Sequence, residues 1–426
     1  MNYFRTFLLV ALGSLGLASA DEAVKEAVRS EGTLTGRDAL IALSDRDADE
    51  RAMIEGLAKL TTPPAMEDAP GFESNDRVRA IYFDGLPYQG KATKVFAWLG
   101  MPAKTKGPVP GVVLVHGGGG TAFREWVELW NKKGFAAISI AVEGQTSNKA
   151  PGSGQWDRHS FGGPARVGIY GDSQVSLTDQ WMYHAVADTI LANSLLSSLP
   201  DVDADHVGLM GISWGGVITS TVVGLDSRFD FAIPTYGCGN LSEAGNQYGR
   251  ALGNNRIYKE LWDPILRLDR AKMPILWLSW PGDQHFPLDK LASCHQEAAG
   301  PQMVSLVPGM RHGHGPGWIR PESYAFARSV VDDGKPWCVA DHAGSANGIA
   351  SVDFVTERML ERAVLFATSD SGLTGSRKWT QSPARLVRND GAWHAEASLP
   401  EGTTSWFINT QSGDLVVSSG YQEITP

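Results

Sequence analysis

The stretch HVGLMGISWGG, residues 206–216, passes from an apolar run straight into a serine boxed by glycines. Gly211-Ile212-Ser213-Trp214-Gly215 satisfies G-x-S-x-G, yet with 48 glycines in 426 residues such a pentad can arise by chance. Its surroundings decide its meaning. The residues before Ser213 read as a buried strand, and WGGVITSTVVGL after it reads as a helix. A serine on a sharp strand-to-helix turn is lifted above the sheet edge, where its hydroxyl can attack a substrate, and flanking glycines relieve the crowding there. An ordinary glycine turn is the competing reading. The nearby GDSQV around Ser173 has neither the second glycine nor the preceding strand.

Outward from this turn the chain alternates. VPGVVLVHG, FAAISIAVEG, FDFAIPTYG, MPILWLSW and PQMVSLVPG read as strands. TAFREWVELWNKKG, LTDQWMYHAVADTILANSLLSSL, LDKLASCHQEAAG and PESYAFARSVVDDG read as the helices between or after them. Short apolar strands separated by helices imply an α/β fold, a mostly parallel sheet covered on both faces. VRAIYFDG and TKVFAWLGMP precede it as an expected antiparallel hairpin. Trp126, Trp130 and Trp181 fall in helical runs and are expected in the core. An irregular Gly/Pro-rich stretch at 144–180 interrupts the alternation. It is expected to line the pocket, because loops at the C-terminal ends of strands host ligands in such sheets.

The ends differ in character. Residues 1–20, MNYFRTFLLVALGSLGLASA, have an early arginine, an apolar run and a small-residue site after Ala20, the layout of a secretory signal peptide. Export to the periplasm or beyond is therefore expected, with no membrane span once the peptide is removed. Residues 21–74 read as a helical lead-in and linker, 75–337 as the main α/β domain, and 338–426 as a small β-rich module. A net charge of −10 argues against a nucleic-acid partner, whose binding surface should be basic. Cys238, Cys294 and Cys338 permit at most one disulfide, Cys294–Cys338 being conceivable, and have no zinc-site spacing.

LVHGGGGTAF, residues 114–123, lies between a strand and a helix and admits two readings. Gly117, Gly119 and Ala122 fit G-x-G-x-x-A, with Glu143 after the next strand, the outline of a dinucleotide-binding turn. The same loop can instead aim backbone N–H groups at a carbonyl oxygen that becomes negative in a transition state. The second reading also calls for a serine elbow and for an acid and a base after later strands. All three are present. Asp283 is the first carboxylate after MPILWLSW, with Asp289 as alternative at the start of the next helix. His312 is the first histidine after the last strand, with His314 as alternative. Serine needs such a base to become a nucleophile, and the acid orients the base. The order Ser213, Asp283, His312 is that of α/β hydrolases. A metal site built from His285, His312, His314 and Asp283 is the third reading, without further ligand motif.

Taken together, LVHGGGGTAFREWVELWNKKGFAAI, GISWGG, YGCG, GDQHFPLD and MRHGHG resemble exported bacterial α/β hydrolases over about residues 75–335. The type is that of acetylxylan esterases and prolyl-oligopeptidase-like or dienelactone-hydrolase-like enzymes. The resemblance implies an eight-stranded α/β-hydrolase sheet with a leading antiparallel pair, and Ser213, Asp283 and His312 as nucleophile, acid and base. It implies an oxyanion hole from the Trp214 N–H with Gly118 or Gly119, and no cofactor or metal. The chain departs from the type in carrying no propeller-sized segment and no R-G-Q-like loop. His159, His285 and His314 are candidate substrate contacts, as are Trp156 and Arg158. The expected activity is a serine esterase cleaving small acyl esters, acetyl esters of a carbohydrate foremost. Alternatives are an oligopeptidase-like peptidase and a non-catalytic scaffold.

Overall fold

A computed structural model describes residues 48–103, 106–389 and 391–424. The signal-peptide reading of residues 1–20 and residues 21–47 of the lead-in lie outside the described residues. What is described begins at helix α1, Ala48–Gly56, followed by strands β1 (Met66–Asp68), β2 (Val78–Asp84), β3 (Lys94–Gly100) and β4 (Val109–Val115). Helix α2 (Arg124–Lys132) leads to β5 (Ala136–Ile140), and the irregular stretch contributes a two-stranded ribbon, β6 (Gln145–Lys149) with β7 (Trp156–Arg158). Then come α3 (Trp181–Ser197), β8 (Val202–Ile212), α4 (Trp214–Val222), β9 (Phe231–Thr235) and α5 (Gln247–Leu252). Strand β10 (Ile275–Ser279), α6 (Leu288–Glu297), β11 (Gln302–Leu306), α7 (His314–Trp318) and α8 (Pro321–Asp333) complete the alternation.

Pairing gives the order β1-β2-β3-β5-β4-β8-β9-β10-β11. From β5 to β11 every neighbour is parallel, while β2 and β3 run antiparallel at the leading side. Setting the three-residue β1 aside, this is the expected eight-stranded α/β-hydrolase sheet. Strands β5, β9 and β10 are buried along their whole length, which explains why they read as continuous apolar runs rather than alternating ones. Helix α3 is buried on nearly every side, and Trp126, Trp130 and Trp181 are core residues. Among the described residues no helix is long and apolar enough to cross a membrane.

Beyond β11 the sheet does not stop. Strands β12 (Val339–Ala346), β13 (Ile349–Val355), β14 (Arg362–Thr368), β15 (Thr380–Asn389), β16 (Ala392–Ser398), β17 (Ser405–Ser412) and β18 (Leu415–Ser418) pair antiparallel in the order β18-β17-β14-β15-β16-β13-β12. Strand β18 lies along β11, with Val304 opposite Ser418. The Ser305 hydroxyl donates to the Val416 carbonyl at 2.6 Å, and Asn409 Nδ2 donates to the Leu306 carbonyl at 2.9 Å. An uncovered β11 would present a row of unpaired backbone groups; the C-terminal strands cover it. All three cysteines are free and buried, and Cys294 lies beside Cys238, its sulfur accepting the Gly239 N–H at 2.9 Å.

Candidate active site

Strand β8 delivers Ser213 to the sheet edge with φ 58° and ψ −116°, a conformation that a non-glycine residue adopts only when its surroundings impose it. The Ser213 N–H donates to the Thr235 carbonyl at 2.8 Å, and its own carbonyl accepts the Val217 N–H at 3.0 Å. The glycines beside it are required by contact. A methyl on Gly211 would lie 2.0 Å from the Gly215 carbonyl oxygen, and one on Gly215 would lie 2.0 Å from the Val115 carbonyl oxygen. Helix α4 and strands β8 and β4 therefore pack backbone to backbone, and the turn is held tight.

The loops after β10 and β11 bring two further groups to this serine. His312 Nε2 lies 2.9 Å from Ser213 Oγ, and His312 Nδ1 lies 2.8 Å from Asp283 Oδ2. The Asp283 side chain is fully enclosed, and its other oxygen accepts the N–H groups of His285 at 2.8 Å and Phe286 at 2.9 Å. With both N–H donors on Oδ1, Oδ2 is left to accept from Nδ1, so Nε2 is free to accept the serine proton. Phe286 stacks on the His312 ring at 5.9 Å, Tyr236 lies against it at 4.6 Å, and the Tyr236 hydroxyl donates to the Arg311 carbonyl at 2.6 Å. Arg311, at φ 63°, turns the chain so that His312 faces inward. The C-terminal strands reach this point as well. A methyl on Gly375 would fall 2.0 Å from the Asp283 carbonyl oxygen, and the Thr374 hydroxyl accepts the Leu288 N–H at 2.8 Å, bracing the acid's loop. Asp289 sits in the first turn of α6 beside Lys290, away from His312.

The glycine loop closes the other side. Gly120 N–H donates to the Gly117 carbonyl at 3.0 Å, forming a turn with Gly119 at φ 72°, a value that favours glycine. A methyl on Gly117 would lie 2.8 Å from Ser213 Cβ, and one on Gly118 would lie 3.0 Å from Trp214 Cδ1. Gly117 and Gly118 thus lie against the serine turn and the start of α4. The first N–H groups of a helix have no partner within it.

Two histidines fix this loop. His116 is buried; its Nδ1–H donates to the Gly117 carbonyl at 2.7 Å, and its Nε2 accepts the Val142 N–H at 3.1 Å. His314 Nε2 accepts the Gly117 N–H at 2.9 Å. Burial first, and for His314 the neighbouring His116 next, push both rings down to about 4, so both are neutral near pH 7. Trp156 donates its indole N–H to the Gly119 carbonyl at 2.8 Å. His285 lies 4.8 Å from the His312 ring and 2.8 Å, through Nδ1, from Gln247 Nε2, at the edge of the same site. His159 is not gathered there: it packs on Tyr82 of β2 at 4.9 Å, and both its ring nitrogens are buried without a partner.

These depressed histidines have a consequence for stability. An unfolded histidine titrates near 6.5, so between pH ~6.5 and ~4 the unfolded chain binds protons that His116 and His314 refuse. The contribution of these two rings to stability is full above that window and declines as pH falls through it, by about 1.4 kcal/mol per pH unit for each ring. Urea midpoints at pH 7.5, 6.0 and 5.0 should fall in that order. His314→Asn should shallow the decline, and an unchanged slope in that variant would contradict the assignment.

Sequence reasoning did not single out Arg166, Tyr236, Tyr248 or Phe286. Arg166 Nε pairs with Glu143 Oε1 at 3.3 Å, and its guanidinium lies over the rings of Trp214 at 5.1 Å and Trp181 at 5.9 Å. Glu143, placed by the dinucleotide reading on a ribose, is therefore engaged by an arginine.

The acetyl xylan esterase (AXE1) family model matches residues 47–256, a span that includes the glycine loop and the Ser213 turn. The chain is an esterase, similar over that span to the acetyl xylan esterases. Among solved structures the esterase is similar to an acetyl xylan esterase from Paenibacillus sp. R4. The identity is 20%, 67% of this chain and 95% of that one are covered, and the TM-score is 0.53. It is also similar to acetyl xylan esterase 1 from Thermoanaerobacterium sp. JW/SL YS485, with 19% identity, 63% and 89% coverage and a TM-score of 0.51. At such identities the structural likeness bears on the fold, the α/β-hydrolase fold. The family match ends before Asp283 and His312, whose positions beside Ser213 come from the geometry of this esterase itself.

Proposed function

We propose that this esterase removes acetyl groups from a carbohydrate outside the cytoplasm, with Ser213 as nucleophile, His312 as general base and Asp283 as the group that orients it. The observation that carries the reading is the continuous relay from Asp283 Oδ2 through His312 to Ser213 Oγ, at 2.8 and 2.9 Å. His312 Nε2 accepts the hydroxyl proton as Ser213 Oγ bonds to the acetyl carbonyl carbon. The negative charge on the carbonyl oxygen is met by the N–H of Trp214 and that of Gly118 or Gly119. Collapse breaks the ester C–O bond, His312 returns the proton to the departing sugar oxygen, and acetyl stays on Ser213. Water, deprotonated by the same ring, then releases acetate. Export rests on the signal-like residues 1–20.

The test is to trap that intermediate. Rapid acid quench during turnover of p-nitrophenyl acetate, followed by peptide mass mapping, should find one acetyl group on the peptide containing Ser213. Parallel assays on acetylated xylo-oligosaccharides should release acetate. Turnover with no acyl adduct, and no inactivation by a fluorophosphonate, would overturn the covalent reading.

A further inference from the structure

The glycine loop borders a cation that the hydrolytic relay leaves unused. Arg166 is held on two sides: Nε by Glu143 at 3.3 Å and Nη1 by the Gly168 carbonyl at 2.5 Å. Among the hydrogen bonds of the described residues, Nη2 makes none. That nitrogen faces the loop, since a methyl on Gly118 would meet it at 2.9 Å. The equivalent methyl on Gly117 would meet Ser213 Cβ at 2.8 Å. Consecutive Cα atoms are about 3.8 Å apart, so the uncommitted nitrogen stands one residue along the loop from the nucleophile.

We propose that Arg166 receives an anionic group on the substrate, so that the preferred esters are acetylated acidic sugars bearing a carboxylate or a sulfate near the acetylated hydroxyl. This rests on the esterase reading above and adds the charge of the sugar to it. A neutral acetylated sugar gives no reason to hold a full positive charge beside the acyl site. Glu143 steadies that charge without cancelling the local field. Arg158 also lies near Glu143, donating to its backbone carbonyl and, at 2.6 Å, to that of Gly163, so a second guanidinium adds positive charge beside the Arg166–Glu143 pair. The surroundings are aromatic and the Arg166 side chain is largely buried, with Trp214 and Trp181 under the guanidinium and the Tyr248 ring 5.7 Å from Trp214. In such surroundings a charge-assisted hydrogen bond is stronger than in water. In a chain whose net charge is −10, a cation held at this point is local selection rather than a general field.

The experiment compares three substrates matched but for charge: an acetylated methyl glucuronide, an acetylated glucoside 6-sulfate and the acetylated neutral methyl glucoside. The wild-type protein should prefer one or both anionic esters by about tenfold or more in kcat/KM, and the anion preferred identifies the source of the charge. In Arg166→Met that ratio should collapse toward one, with Arg166→Lys between. Because Arg166→Met strands the Glu143 carboxylate, Arg166→Met/Glu143→Gln serves as the folded control, judged by its urea midpoint. A second arm needs no turnover: Ser213→Ala titrated calorimetrically with glucuronate, glucose 6-sulfate and glucose should bind an anion in an Arg166-dependent way. A wild-type ratio near one, or a ratio unchanged in Arg166→Met, overturns the proposal. So does an equal kcat loss on all three esters, which would make Arg166 a stabiliser of the oxyanion for any substrate. Failure to hydrolyse even p-nitrophenyl acetate would sink the esterase reading instead, leaving the calorimetric arm to decide on the anion site.

Discussion

Ser213→Ala should lose about 10⁴- to 10⁶-fold in kcat on any acetyl ester while keeping its fold and its affinity for substrate. The size follows from what is removed. Without Oγ no acyl-enzyme forms, and His312 has no hydroxyl to deprotonate; what remains is water attack on an ester held against the loop donors. The fold should survive because the elbow is set by the backbone. The bonds from Ser213 N–H to the Thr235 carbonyl and from Val217 N–H to the Ser213 carbonyl, with the close contacts of Gly211 and Gly215, do not involve the hydroxyl. Alanine keeps the Cβ at φ 58°, so the strain there is unchanged. Acetate release measured beside the urea midpoint separates chemistry from folding. Retention of more than about 1% of wild-type kcat in a folded variant would move the nucleophile elsewhere.

That Ser213 was legible in the sequence, and Arg166 was not, has a physical cause. The elbow is a local event: a strand, a turn and a helix adjacent in sequence, with glycines dictated by contacts within a few residues. Asp283 and His312 were legible as a candidate acid and base because strand alternation fixes where the sheet edge returns, and they are the first suitable residues past β10 and β11. The preference for Asp283 over Asp289 as candidate rested on a helix start, which the structure has at Leu288. His314 was harder. Two residues past His312, it opens α7, and only the fold shows that its Nε2 is spent on the Gly117 N–H, nearly two hundred residues away in sequence. His159 and Arg166 both belong to the irregular stretch, which has no period from which direction can be read. Past its ribbon, His159 packs on Tyr82 and Arg166 over Trp214, a difference made by tertiary packing alone. The C-terminal strands were legible as β structure. That one of them completes the sheet edge, and that Gly375 rests on the acid's backbone, needs pairing across more than a hundred residues in the first case and some ninety in the second.

Asp283→Asn should cost about 10³- to 10⁴-fold in kcat with little change in KM, even though the side chain keeps its shape. In the wild-type site Oδ1 accepts the N–H groups of His285 and Phe286. An asparagine must keep its carbonyl oxygen on those donors, which turns its NH₂ toward His312 Nδ1. The ring then moves its proton to Nε2, the nitrogen that has to accept from Ser213 Oγ, and the base is lost without the residue moving. The measurement is paired. Steady-state kinetics should show the kcat loss, and ¹⁵N chemical shifts of the His312 ring should report the exchanged tautomer, which a mere loosening of the loop would not produce. Asp289→Asn is the comparison, because that carboxylate sits in the first turn of α6 beside Lys290 and should change kcat by less than about threefold. If Asp283→Asn stayed within tenfold of wild type while Asp289→Asn lost activity, the orienting acid would be Asp289, and the enclosed carboxylate at 283 would serve only to hold the loop.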